Sequence, residues 1–540
     1  MTSWMNTLPR RIRRSFSRSA WLARLLRLPV QAGSPTRPGL IMVQIDGLSQ
    51  KQFAQAVARG ELPLLRRFIQ RDEYRPHAQY SGLPSTTPAV QSELFYGVRG
   101  AVPAFSFRDH ESGTIVRMYE PDAAAKLESL HTATGNRPLL QDGSAYSDIF
   151  TGGAAESHFC PSAMGWGTAL RAANPLVLLA FLFTNLYSLL RAAVLLPLEL
   201  GLALLDFARG LVRGHDVLKE LTFIPTRIGI CILLRELCVI GAKIDISRGL
   251  PIIHVNLLGY DEQAHRRGPD SLFAHWTLKG IDDAVARLWR AGRRAPWRSY
   301  QIWVYSDHGQ VKARPYEEVQ GYPLEQAIQA TFAKLNIAPE DIHAENMTSV
   351  QTRRIRFLGG HAFQRLFAVL EGNGAIPQDI QPTMTALGPV AHLYMAKKTA
   401  HGERRLVAEE LTRAHRVPVV LTQVAPGRLR ACTATADFRL PEDLAALFGA
   451  DHPFLDALGD DLLRLCEHPD AGDFVLLGWR DGVTALTFAE ETGSHGGITP
   501  DETNGFALLP RETWLPARRY SYLRPEDLRK AALHYLDSMG

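Results

Sequence analysis

Gln301-Ile302-Trp303-Val304-Tyr305-Ser306-Asp307-His308-Gly309-Gln310 is an apolar run that stops on a carboxylate and an imidazole standing side by side. A run of this length with Ile, Trp, Val and Tyr reads as a buried strand. Two other stretches repeat the pattern. Leu40 to Ile45 ends in Asp46-Gly47, and Pro251 to Leu258 ends in Gly259-Tyr260-Asp261. Helical patterns lie between them, at Leu62 to Ile69 and, with an amphipathic period, at Leu272 to Ala291. Strands alternating with helices predict an α/β fold with a largely parallel central sheet flanked by helices. In such sheets ligands bind outside the carboxyl ends of the strands, which is where these acids fall.

Further polar groups extend the set. The loop Gly82-Leu83-Pro84-Ser85-Thr86-Thr87-Pro88 precedes a helical stretch, Ala89 to Tyr96, closed by Gly97. Pro88 suits the first helical position, so Thr87 is expected at the N-cap. Asp261 and His265 are four apart and share a face if helical. His495 lies in Gly493-Ser494-His495-Gly496. Each piece has an ordinary reading: a strand-to-turn cap for Asp46, a helix cap for Thr87, a loop residue for His495. Together they offer the oxygen and nitrogen donors that zinc accepts. Two divalent ions about 4 Å apart clamp the attacking and leaving oxygens of an in-line phosphoryl displacement. A threonine hydroxyl can serve as the nucleophile, and a helix amino terminus offers N–H groups to a phosphoryl oxygen.

Composition narrows the class. The chain has 540 residues, 46% hydrophobic and 21% charged, with a net charge of +5. That balance predicts an ordinary folded protein and gives no reason to expect a nucleic-acid polymer as partner. Five cysteines, Cys160, Cys231, Cys238, Cys432 and Cys466, are widely spaced with no CxxC. A disulfide framework and a Cys-rich zinc site are not expected, and a reducing compartment is favoured.

Charge and hydropathy are unevenly spread. Residues 1–45 hold eight arginines and no acid. Residues 1–30 read either as a basic amphipathic helix on an anionic membrane surface or as a disordered basic tail. Ala172 to Leu190 carries no charge, and Ala192 to Ala208 carries only Glu199 and Asp206. The segment 172–208 is expected to dip into a membrane as a hairpin; a hydrophobic helical pair or oligomer interface comes next, then a true span. From 315 to 489 the strand–helix rhythm changes. Val390 to Met395 and Val417 to Thr422 look like strands, and Phe474 to Leu477 looks paired with Ala485 to Phe488. The organisation expected is a basic segment and linker at 1–38, core at 39–170, a hydrophobic helical insertion at 171–248, core at 249–314, an α+β cap insertion at 315–489, and core at 490–540.

The motifs, in this order, resemble the alkaline phosphatase superfamily, and most its type I phosphodiesterase/nucleotide pyrophosphatase branch. The resemblance covers residues 40–110, 250–310 and 490–510. Its carriers are IMVQIDG at 41–47, Pro84-Ser85-Thr86-Thr87 with Gly97 ten residues on, Asp261-xxx-His265 with Gly268-Pro269, Ser306 to Gly309, and Gly493 to Gly496. It implies an alkaline-phosphatase-like fold and two divalent ions, zinc expected. One ion would be held by Asp261, His265 and His495, the other by Asp46, Asp307 and His308 with Thr87. It also implies Thr87 as nucleophile on a phosphodiester. Many relatives have an Asn soon after the nucleophile helix; this chain has none there, and Arg108 is the candidate for its phosphate-binding role. A lipid-linked substrate, with phosphotransferase or phosphomonoesterase chemistry, is the alternative. An inactive membrane-tethered binding module is the alternative from another class. Membrane association on the cytoplasmic side is the expected location, with the periplasmic or extracytoplasmic side as the other choice.

Overall fold

The computed structural model describes residues 18–31, 37–71, 73–163, scattered residues between 186 and 207, and then 229–337, 343–346, 383–395, 401–480 and 482–538. A seven-stranded sheet organises the core, in the order Tyr74–Tyr80, Asn504–Pro510, Ser299–Tyr305, Pro38–Ile45, Ile252–Leu257, Ser144–Tyr146, Glu156–His158. Pro38–Ile45 runs parallel to both of its neighbours, and the pairings out to Glu156–His158 are parallel as well. Asn504–Pro510 is antiparallel to both strands beside it. The predicted α/β class and largely parallel sheet are therefore found, with an antiparallel margin.

The central strand is buried on both faces, as a parallel sheet requires. Ile41, Val43 and Ile45 join one core with Phe53, Phe68, Val239, Leu278 and Val285. Leu40 and Met42 join the opposite core with Leu94, Phe95 and Leu528. Helices Gln50–Arg59, Arg235–Arg248 and Leu272–Arg293 thus cover one face, and Thr87–Tyr96 and Pro525–Asp537 the other. The first strand ends at Ile45, so Asp46 emerges at the carboxyl edge. There Gly47 turns the chain with φ of +70°, and a Cβ at that position would strike Asp261 Oδ1. Backbone and carboxylate approach closely enough that only glycine fits.

Two local expectations are corrected. Thr87 is the first residue of its helix, and Thr86, with an extended backbone, is the N-cap. Pro88 still lies in the first turn, where its missing N–H costs nothing. The second concerns Phe474–Leu477 and Ala485–Thr487, which do not form a strand pair. Phe474–Leu477 sits in a second seven-stranded sheet between Val390–Tyr394 and Val419–Ala425. Ala485–Thr487 runs parallel to Val311–Pro315, the continuation of the Asp307-His308 segment. Gly478, just past the first of them, donates to the Pro389 carbonyl and accepts from Leu486 N–H, the one backbone bond reaching across among the described residues.

Helix Arg18–Leu25 lays Leu22 and Ala23 on Ile240 and Ile244 of the helix Arg235–Arg248, leaving Trp21 and Leu25 exposed. Residues 1–17 lie outside the described residues, as does most of the hydrophobic stretch 172–208. Of the latter, Leu186, Leu190, Val194, Leu200 and Leu204 are helical and exposed. Arg191 pairs with Asp283, which seats this stretch on the helix Leu272–Arg293. Among the described residues no helix is long and apolar enough to cross a membrane.

Candidate active site

Strand ends and helix starts bring Asp46, Thr87, Asp261, His265, Asp307, His308 and His495 to one place. Asp46, Asp307 and His308 have ligand atoms within 4.8 Å of one another, and so do Asp261, His308 and His495. All of these are buried. Thr87 joins them from the amino end of its helix: its hydroxyl lies 3.5 Å from Asp46 Oδ1 and 3.4 Å from His308 Nε2. The helix Gly259–Arg267 supplies Asp261 and His265 at i,i+4, with His265 Nε2 3.4 Å from Asp261 Oδ2. His265 stands at the edge of the cluster, its ring 4.9 Å from that of His495. His308 belongs to both ligand groups and stacks on His495 with ring centroids 3.8 Å apart.

The three imidazoles share one arrangement. His308 Nδ1 is 2.9 Å from the Gly309 carbonyl, His495 Nδ1 is 2.8 Å from the Ser85 carbonyl, and His265 Nδ1 is 2.7 Å from Glu491 Oε2. A carbonyl or ionised carboxylate only accepts, so each Nδ1 carries a proton and each Nε2 faces inward. Burial opposes a charge on His265, but Asp261 and Glu491 outweigh it and hold its pKa well above the ordinary value, so a cation would take the place of its Nε2 proton. The inward nitrogens face carboxylates: His308 Nε2 is 3.6 Å from Asp46 and 3.4 Å from Asp307, and His495 Nε2 is 3.9 Å from Asp261. Asp307 Oδ2 is buried and has no hydrogen-bond partner among the described residues. Every ion-pair partner recorded for Asp261 and Asp307 is a histidine.

This donor set is electrostatically costly by itself. Burial and the nearby Asp261 charge push Asp307 up to about 7. Burial, helped by His308, pulls His495 down to about 3. Burial also works against the Asp261 charge, but His265 and His495 outweigh it and hold that carboxyl well below its usual range. Buried carboxylates and inward-facing imidazole nitrogens fit divalent cations, which would offset the repulsion and use the orphaned oxygen. A third cluster, Glu156, His158 and Asp245, differs. Arg248 already lies 2.5 Å from Glu156 and 2.9 Å from Asp245, so a guanidinium supplies the positive charge there.

Sequence reasoning missed the groups behind the donors. Asn256 Nδ2 donates to Asp46 Oδ2 at 2.9 Å, and Gln310 Nε2 donates to Asp261 Oδ1 at 2.5 Å. Asn256 is the polar residue in an otherwise apolar strand end, and Gln310 lies two residues after His308; both signals were visible. Arg108 is not joined to this group by any recorded contact. Its backbone N–H donates to Tyr394 Oη, and its guanidinium lies beside Gly113 in the turn of its own hairpin.

Residues 252–431 match the family model described as type I phosphodiesterase / nucleotide pyrophosphatase. The match spans about a third of the chain and includes Asp261, His265, Asp307 and His308. It agrees with the resemblance carried by the motifs. Over residues 252–431 the chain is thus similar to the type I phosphodiesterases/nucleotide pyrophosphatases. No curated protein matches. Among solved structures, phosphonoacetate hydrolase from Sinorhizobium meliloti is similar at 14% identity and a TM-score of 0.43, over 95% of this chain and 99% of that one. Murine ectonucleotide pyrophosphatase / phosphodiesterase 5 is similar at 11% identity and a TM-score of 0.45, over 93% of this chain and 95% of that one.

Proposed function

We propose that the chain hydrolyses phosphodiester bonds with Thr87 as the nucleophile, in a site holding two divalent ions, at a membrane surface. The observation that carries the catalytic part is the common posture of His265, His308 and His495, each with Nδ1 anchored and Nε2 facing a carboxylate. Asp261, His265 and His495 would hold one ion, and Asp46, Asp307 and His308 the other. The ions, zinc by donor type, would supply positive charge to phosphoryl oxygens and favour loss of the nucleophile's proton.

The chain's own groups do the rest. The Thr87 hydroxyl has two acceptors within reach of its proton, Asp46 Oδ1 at 3.5 Å and His308 Nε2 at 3.4 Å, which leaves oxygen lone pairs free for phosphorus. In the first step the Thr87 Oγ1–P bond forms, the ester P–O bond breaks, and the alcohol leaves. In the second, water attacks the phosphothreonine, releasing a phosphomonoester and restoring the hydroxyl. The free N–H groups of the first turn of Thr87–Tyr96 face a phosphoryl oxygen held there. Arg108 stays a candidate contact for an outer oxygen; an unchanged KM in R108A would remove it.

Bis-p-nitrophenyl phosphate turnover tests the class, and metal analysis tests the ions. Wild type should carry about two divalent ions per chain. D307A should carry about one fewer and lose turnover together with it, while far-UV circular dichroism stays unchanged. Turnover surviving in D307A would overturn the assignment.

The membrane part rests on the exposed run Leu186, Leu190, Val194, Leu200 and Leu204, beside a helix that leaves Trp21 and Leu25 uncovered. A set of exposed apolar side chains next to arginine-rich sequence suits an anionic lipid surface. The full chain should co-sediment with vesicles containing phosphatidylserine and be released by salt only in part, since apolar insertion is not screened. Complete recovery in the supernatant would count against it. Five free, buried cysteines accord with the cytoplasmic side.

A further inference from the structure

His265 differs from its two companions in what holds it. His308 and His495 are anchored through Nδ1 by backbone carbonyls, which no side-chain replacement removes. His265 is anchored by a side chain, Glu491, at 2.7 Å. It is also the least enclosed of the three: its side chain is 20% exposed, against 0% for His308 and 7% for His495. The ring furthest from the packed interior therefore depends on the one partner that mutation can delete.

Glu491 is itself fixed. Its Oε1 accepts from Ser494 Oγ at 2.5 Å and from Thr487 Oγ1 at 3.1 Å, leaving Oε2 for His265. Thr487 ends the strand Ala485–Thr487 and Ser494 lies in the strand Gly493–Ser494; both strands pair with Val311–Pro315. That strand continues from Asp307-His308-Gly309-Gln310. The anchor is thus built on the same segment that delivers the neighbouring donors. A backbone bond, Thr492 N–H to the His265 carbonyl at 2.9 Å, holds the two segments in register.

We propose that Glu491 is a positioning residue: it fixes the Nδ1–H tautomer and the ring orientation of His265, and so sets the affinity of the ion site made by Asp261, His265 and His495. The inference rests on the two-ion reading above. Partners of this kind typically govern 10–100-fold in metal affinity. Among the described residues the Glu491 carboxylate bonds His265, Thr487 and Ser494 and none of Asp46, Asp307 or His308, so its effect is confined to one of the two ions.

The test uses the full chain and zinc alone, titrated against a competing chelator, in wild type, E491A, E491Q and H265A. Wild type should show two classes of bound zinc. E491A should weaken one class by about 10–100-fold and leave the other unchanged, matching the class that H265A removes. E491Q should recover most of that loss: its amide oxygen can accept from His265, and its amide NH2 can donate to the Ser494 and Thr487 hydroxyls, which rotate to accept. Unchanged zinc binding in E491A would overturn the proposal. So would equal weakening of both classes, which marks general disruption, and so would an E491Q as weak as E491A. If E491A fails to fold, E491L, which fills the space but cannot accept from His265, is judged against H265A on the same criterion. A wild-type chain that binds no zinc sinks the two-ion reading itself, a result none of the variant outcomes can mimic.

Discussion

T87A should lose about 10⁴-fold or more in kcat on a phosphodiester while keeping its bound ions. Removing a catalytic nucleophile has effects of that size, because the residual rate comes only from charge stabilisation and binding. Thr87 touches Asp46 and His308 through its hydroxyl, yet the tight donor groups are complete without it. Ion content by elemental analysis should therefore match wild type. Ser at the same position keeps a hydroxyl and should retain a measurable rate; Val keeps the shape and should not. The contrast isolates the oxygen from the packing, since Thr87 is buried and a cavity could otherwise be blamed. A T87A enzyme within tenfold of wild type would remove the nucleophile from the mechanism and leave only a metal-bound water to attack.

R524A should be the most destabilising single change in the described chain, costing about 3–5 kcal/mol. Arg524 donates to Glu93 at 3.2 Å and to Asp461 at 2.9 Å, and all three side chains are 5% exposed. Its guanidinium also lies over the Tyr80 ring at 5.1 Å. Deleting it leaves buried Asp461 without its cation and buried Glu93 with only the partly exposed Arg99 at 3.4 Å, and that is the expensive event. The triple variant E93Q/D461N/R524M removes the charges with the cation and should recover most of the loss. Urea unfolding followed by fluorescence measures both, with the midpoint shift read at constant slope. Because Glu93 lies in the Thr87–Tyr96 helix and Asp461 in the helix Leu455–Glu467, the triad ties the helix that carries Thr87 to the second sheet's layer. Equal stability of R524A and the triple variant would show that the stranded charges are not the cause.

What the sequence made legible follows from periodicity and from acids at strand ends. Buried strands announce themselves by continuous Ile, Val and Leu, so the stretches ending at Asp46, Asp261 and Asp307 could be read directly. The spacing to Gly97 selected Thr87 over Thr86, although the helix begins one residue earlier than the proline suggested. Partners separated by hundreds of residues carry no local signal. Glu491 holds His265 across 226 positions, and Ser85 holds His495 across 410. Nothing in the local pattern of Phe474 to Leu477 says which strand it will join, so the second sheet's order was out of reach. Arg108 was singled out by type and position in the chain, and type alone does not aim a guanidinium.

The strand Tyr74–Tyr80 is attached to the sheet through Asn504–Pro510, which also closes onto Ser299–Tyr305. On a ribosome this sets a timetable. The segments bearing Asp46, Thr87, Asp261, Asp307 and His308 emerge first, with an open sheet edge and unneutralised carboxylates. His495 and the closing strand are made after all of these, so neither the sheet nor the donor set is whole until then. Contacts this remote in sequence form slowly. A chain stopped short of residue 510 would expose a hydrophobic edge and hold an incomplete donor set, which makes it a substrate for chaperones and proteases before it can be an enzyme.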